Sequence, residues 1–107
     1  MTDLENALAF QLDAARIPYQ REVHAVKSRR YRWDFQVGDY LIEVQGGTWS
    51  RKRTGHSTGM GIRRDAEKAN TAALAGYRTL FFTSDMIADG TALNTIAELG
   101  TADAKLD

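Results

Sequence analysis

The sequence predicts an α/β fold, a mixed central sheet flanked by helices, formed as a single domain over residues 1–107. Three observations carry that expectation. Helix-like and strand-like apolar periods follow one another in the order helix, three strands, helix, strand, helix. The three consecutive strand-like runs are joined by short turns, which favours an antiparallel meander. The helical stretch after them then returns the chain so that the fourth strand lies beside and parallel to the third.

Each element has a local reason. Thr2 and Glu5 have capping-box spacing, and Leu4, Leu8 and Leu12 recur at helical spacing with Ala7 and Ala15. A helix is therefore expected to Ala15, ended by Ile17-Pro18 because proline cannot continue the hydrogen-bond ladder. Tyr19 to Val26 alternates and reads as a strand, and Lys27 to Arg30 as a basic turn. Tyr31 to Val37 and Tyr40 to Gln45 read as a hairpin about Gly38-Asp39. Ile62 to Ala75 reads as a helix with Ala66, Ala69, Ala73 and Leu74 as its apolar stripe and Gly76 as its C-cap. Tyr77 to Thr83 is the fourth strand. Ser84 is expected to cap a short helical turn around Met86. Thr91 to Leu99 is the last helix, with a frayed tail from Gly100.

The hairpin holds the chemistry. Side chains alternate faces along a strand. Trp33, Phe35 and Val37 should share one face and Asp34 the other. On the second strand Tyr40, Ile42 and Val44 should share a face, with Glu43 and Gln45 opposite. If the two strands pair, two carboxylates and an amide project from one side of the sheet. Such a group can hold a hard divalent cation, and metal-held water cleaves phosphodiesters. Pairing with Arg or Lys would equally offset the burial of Glu43 in an apolar strand.

Composition bounds the alternatives. Forty-three per cent apolar and 26% charged residues is ordinary globular composition. With no cysteine there is no disulfide and no thiolate metal site. No apolar run reaches membrane-spanning length, and the N-terminus does not read as a signal peptide, so a soluble cytoplasmic protein is expected. Net charge is zero but uneven: residues 21–68 carry eleven basic against six acidic residues, and the flanks three against eight. A basic middle suits a polyanion-binding face or an ordinary solvated surface.

The segment from Gly46 to Gly61 holds five glycines, Arg51, Lys52, Arg53 and His56. It is long for a connection in a small domain. With Arg63, Arg64 and Arg30 it would form a phosphate-contacting surface. Gly55, Gly59 and Gly61 would permit close approach to phosphates. His56 suits a phosphate contact or an ordinary loop position; zinc is disfavoured because His24 is the sole other histidine. Trp49 would anchor the loop or stack on a base. Phe81 and Phe82, with Trp33 and Phe35, read as core.

With Asp34 on one strand and the run Glu43-Val44-Gln45-Gly46-Gly47 on the next, the chain resembles the PD-(D/E)XK nuclease superfamily. It is similar to the small Holliday-junction-resolvase and VRR-NUC branches and to short phage endonucleases. The resemblance spans Leu4 to about Met86. It implies a restriction-endonuclease-like αβββαβ core and hydrolysis of DNA phosphodiester bonds with Mg²⁺ or Mn²⁺. It further implies structure-dependent recognition of branched or flapped DNA, in repair, recombination or phage DNA processing, by a homodimer able to cut both strands. Asp34 and Glu43 match the family's metal ligands, the Val44 carbonyl its backbone ligand, and Glu5 the acidic residue of its first helix. The chain departs at Gln45, where the family usually has lysine. In some members that lysine sits on the following helix, where this chain has Lys68. Lys68 would stabilise developing negative charge and Gln45 would orient water. Taken by residue alone, Glu5 is also explained by its capping box, and Lys68 by an intrahelical pair with Asp65. A catalytically inactive nucleic-acid-binding module of the same fold is the alternative reading.

Overall fold

A computed structural model describes residues 3–46 and 59–106. Eight elements follow in order: α1 (Asp3–Ala14), β1 (Gln20–Val23), β2 (Trp33–Val37), β3 (Tyr40–Gln45), α2 (Gly59–Leu74), β4 (Arg78–Thr83), α3 (Ser84–Ala88) and α4 (Thr91–Leu106). The strands form one sheet in the order β1-β2-β3-β4. The first three are antiparallel neighbours, and β4 runs parallel to β3. This is the meander plus crossover expected from the sequence. Among the described residues, no helix is long and apolar enough to cross a membrane.

The two faces of the sheet are covered unequally. On one face Leu8, Ala9 and Leu12 of α1, Ile87 of α3, and Ala92 and Ile96 of α4 pack against Phe35, Ile42 and Phe82. Burying each of the leucine, isoleucine and phenylalanine side chains among these stabilises by about 1.5–3 kcal/mol before ordering costs, so this face anchors the domain. On the other face a smaller cluster joins Trp33, Leu41 and Ala72 of α2. The expected apolar stripe of α2 is corrected by this packing. Ala72 is the buried residue, whereas Ala66 and Ala73 are exposed and Leu74 is 91% exposed. A stripe of three alanines and one terminal leucine carries too little apolar area to fix a helix's rotation, so Trp33 and Leu41 fix it.

Boundaries moved for identifiable reasons. The first helix ends before Pro18: Arg16 adopts φ 60°, and the Ile17 amide bonds the Leu12 carbonyl while the Arg16 amide bonds that of Asp13. This is a Schellman cap built on a non-glycine residue. The same pair of bonds closes α2 at Gly76, where φ is 93°, as the sequence implied. Strands β1 and β2 are shorter than the alternating runs suggested. Gly59 and Gly61 lie in α2 rather than in a loop. Thr83, not Ser84, is the N-cap of α3, without a side-chain cap bond. The last helix continues through Gly100 to Leu106. Phe81 is 47% exposed and leaves the expected core.

The most consequential departure is in β2. Phe35 packs with the α1 face, whereas Trp33 packs with the α2 face, although two residues apart on a regular strand share a face. The strand therefore turns over at Asp34. Glu22, at the level of Asp34 on β1, takes φ 52° and drops out of a register that pairs Arg21 with Phe35 and Val23 with Trp33.

Replacing Arg16 with glycine should remove a left-handed strain of about 1–2 kcal/mol, partly offset by glycine's greater chain entropy. Arg16→Gly is expected to raise stability by about 0.5–1 kcal/mol in urea unfolding, and Arg16→Ala to give no gain.

Candidate active site

The β2–β3 ladder runs from the Gly38-Asp39 turn to the pair Phe35–Ile42 and stops there. Gly38, at φ 57°, supplies the positive φ that a tight hairpin turn needs. In a regular antiparallel ladder the next hydrogen-bonded pair would be Trp33 with Val44. The Val44 amide instead donates to Asp34 Oδ2 at 2.8 Å, and the Asp34 amide to Glu43 Oε1 at 3.3 Å. Each carboxylate thus takes an amide of the opposite strand just where the strands part. Asp34 is 9% exposed, and the Glu43 side chain 17%.

A third charged group closes the site. Lys68, on α2, donates to Glu43 Oε2 and, at 2.6 Å, to the Arg32 carbonyl. Its ammonium lies 5.2 Å from the centre of the Trp33 ring, within cation–π range. Burial pushes the Glu43 carboxyl above the ordinary carboxylate range, and the Asp34 charge adds to that shift, while the Lys68 ammonium opposes it. The Arg32 guanidinium lies 4.0 Å from Asp34 Oδ1. Glu43, Gln45, Lys68 and Trp33 line one cavity, together with Asp65, Thr79 and Phe81. The Trp33 indole N–H, buried in that lining, finds no acceptor among the described residues.

The structure therefore brings Asp34, Glu43, Val44, Gln45 and Lys68 together. The Lys68 ammonium pairs with Glu43 and not with Asp65 within its own helix, so the lysine pairing that the sequence left open for Glu43 is present. Glu5, 8% exposed, lies 3.7 Å from Arg21, which also donates to Asn6 and packs over the Phe35 ring. Among the described residues, no three His, Asp or Glu side chains converge as a ready metal cage. Arg63 pairs with Glu67 at 3.2 Å, and Arg64 and Arg30 are exposed. Arg51, Lys52, Arg53, His56 and Trp49 lie outside the described residues.

Sequence reasoning missed two members of this site. Phe81 was assigned to the core, although its parity with Thr79 and its register with Glu43 would have put it on the site face once β4 was paired with β3. The Arg32 carbonyl has no sequence signal, because it becomes an acceptor only when β2 turns over.

No family model matches this chain, and no curated protein does. Among solved structures, the catalytic domain of the homing endonuclease I-Bth0305I is similar over 92% of this chain and 92% of that one, with a TM-score of 0.64 and 24% sequence identity. The likeness extends over nearly the whole chain and shows the fold.

A carboxyl whose folded pKa exceeds its unfolded value gives the folded chain an extra proton. The stability tied to it is complete below the unfolded value and is lost as pH rises through the folded one. Glu43→Gln, an uncharged mimic of the protonated acid, is therefore expected to melt above the parent at pH 7. That advantage should shrink as the melts are repeated toward pH 4.

Proposed function

We propose that the chain is an endonuclease that hydrolyses DNA phosphodiester bonds with a divalent cation held between Asp34 and Glu43. The observation that carries this reading is that Asp34, buried, and Glu43, mostly buried, face each other across two strands that have stopped pairing. A buried acid is costly unless something compensates it. Here the compensation is uneven: Glu43 Oε1 accepts from the Asp34 amide and Oε2 from Lys68, and Asp34 Oδ2 accepts from the Val44 amide, while Asp34 Oδ1 has a 4.0 Å contact with Arg32. Oxygen donors of this kind, without thiol or imidazole, suit Mg²⁺ or Mn²⁺. The donor set fits such an ion with two carboxylates, the remaining positions going to waters and phosphate oxygens.

Bound there, the ion would lower the pKa of a coordinated water and neutralise charge on the phosphate. The chain's own groups would do the rest. Asp34 and Glu43 fix the position of the reaction centre through rigid strands. Val44 contributes its backbone to the same end of the sheet. Gln45 orients water through its amide, which can donate and accept but carries no charge. Lys68 offers the ammonium that the usual motif places at the position of Gln45, ready to offset negative charge developing on the phosphate. The Trp33 indole N–H is a further donor for water or a phosphate oxygen. Arg30, Arg63 and Arg64, together with Arg51, Lys52, Arg53 and His56, would bind the DNA backbone. Glu5, engaged with Arg21, would act chiefly by fastening α1 to β1.

Two lines of support are independent of each other. One is the polar geometry just described. The other is that a solved neighbour of the same fold is the catalytic domain of a homing endonuclease. Phosphate contacts position DNA without reading its sequence, so the basic residues favour DNA structure over DNA sequence as the feature recognised, as in repair, recombination or phage DNA processing.

The test is nicking of supercoiled plasmid and of branched DNA with Mg²⁺ or Mn²⁺. The parent is expected to nick, and to stop on chelation of the metal. Asp34→Ala and Glu43→Ala should lose activity by at least a hundredfold while retaining salt-sensitive DNA binding. A parent that binds DNA yet leaves both substrates intact would instead be the catalytically inactive module.

A further inference from the structure

Phe81 stands out as the one large aromatic side chain among the described residues that is both strongly exposed and part of the cavity lined by Glu43. Its place follows from register. On β4, Leu80 packs against the α1-side core and Phe82 is buried within it. Phe81 pairs with Glu43 across the parallel ladder, and Thr83 with Gln45. Register partners on adjacent strands share a face and stand about 4.8 Å apart. The Phe81 ring thus occupies the column next to the carboxylate, on the outermost strand of the sheet. It belongs to neither buried cluster: α2 packs on the sheet at Trp33 and Leu41, and beside Phe81 its Asp65, Lys68 and Ala69 line the cavity without burying the ring, which stays 47% exposed.

We propose that Phe81 is a base-stacking platform, and that the site takes its substrate as an unpaired strand. The inference rests on the phosphodiester reading above. A phosphate held near Glu43 and Lys68 carries its sugar and base to one side or the other of the β3 column. On one side lies β2, with Asp34 and Arg32. On the other lies the Phe81 ring, with a face broad enough for a nucleobase. The apolar ring offers little to a phosphate and much to a π-face. A base inside a duplex presents its edges and not its face. Stacking on Phe81 therefore requires a nucleotide already out of the duplex: a single strand, a flap or a junction. Stacking of this kind tolerates any base, so the selection is for strandedness rather than sequence.

The experiment measures binding without divalent ions, so that no cleavage intervenes. Fluorescence anisotropy compares a single-stranded oligonucleotide with a blunt duplex of equal length. Phe81→Ala and Phe81→Leu are expected to weaken single-strand binding on the order of tenfold and to change duplex binding by less than about twofold. Phe81→Tyr, which keeps the ring, should match the parent. Thermal melts of all three variants establish that each is folded. The stacking role is overturned if Phe81→Leu binds single strands as the parent does, or if Phe81→Ala weakens duplex and single strand alike. A parent that binds neither nucleic acid overturns the phosphodiester reading itself, an outcome distinct from both.

Discussion

The structure turns on the place where β2 and β3 stop pairing. Up to Phe35 and Ile42 the hairpin is regular, with Phe35, Tyr40, Leu41 and Ile42 buried and Gln36 and Val37 half-buried. One residue further, carboxylates replace backbone carbonyls as the acceptors of backbone amides. That exchange lets two acids sit side by side in a largely buried position, because each is partly satisfied by the strand opposite. It also keeps the strands from collapsing onto each other, which would return the Val44 amide to the ladder and expel Asp34. Lys68 completes the arrangement from α2 by neutralising Glu43 and capping the carbonyl of Arg32, which the turn-over of β2 leaves for it.

The bulk of the packed core and the charged cluster lie on different faces of the sheet. The α1 side holds most of the large buried side chains, from Leu8 and Leu12 through Phe35, Ile42 and Phe82 to Ile96. The α2 side carries a thinner cover, and the charged site occupies the gap beside it. The division has a physical logic. A site with a carboxyl whose charged form is penalised by burial, beside an open cavity, lowers stability locally, and a well-packed opposite face offsets that loss. It also explains why Phe81 and Phe82, adjacent in sequence and identical in chemistry, have opposite fates. One points into the packed face and the other into the open one.

What the sequence made legible was what period and order encode. The meander, the crossover, the Gly38-Asp39 turn, the Gly76 cap and the adjacency of Asp34 to Glu43 all follow from local spacing plus pairing. What it hid depended on tertiary contact. Trp33 obeys alternation in the sequence and breaks it in space, because β2 turns over opposite the left-handed Glu22. Lys68 has two acids within reach, and only the packing of Ala72 against Leu41 and Trp33 directs it to Glu43 rather than Asp65. The buried stripe of α2 was unreadable for a related reason: alanines on several sides of a helix do not say which side faces the sheet. Phe81 was misassigned because hydrophobicity alone does not report which face of a sheet is left open.

On the function proposed above, the two carboxylates, held apart from the ladder yet close to each other, take a divalent cation. Anomalous diffraction from crystals soaked in Mn²⁺ reads that site out. A peak between the carboxylates of Asp34 and Glu43 is expected, absent from crystals of the Asp34→Ala variant. Soaks of the parent that leave this position empty, with Lys68 still on Glu43 and any peak lying elsewhere, would rule the cation site out.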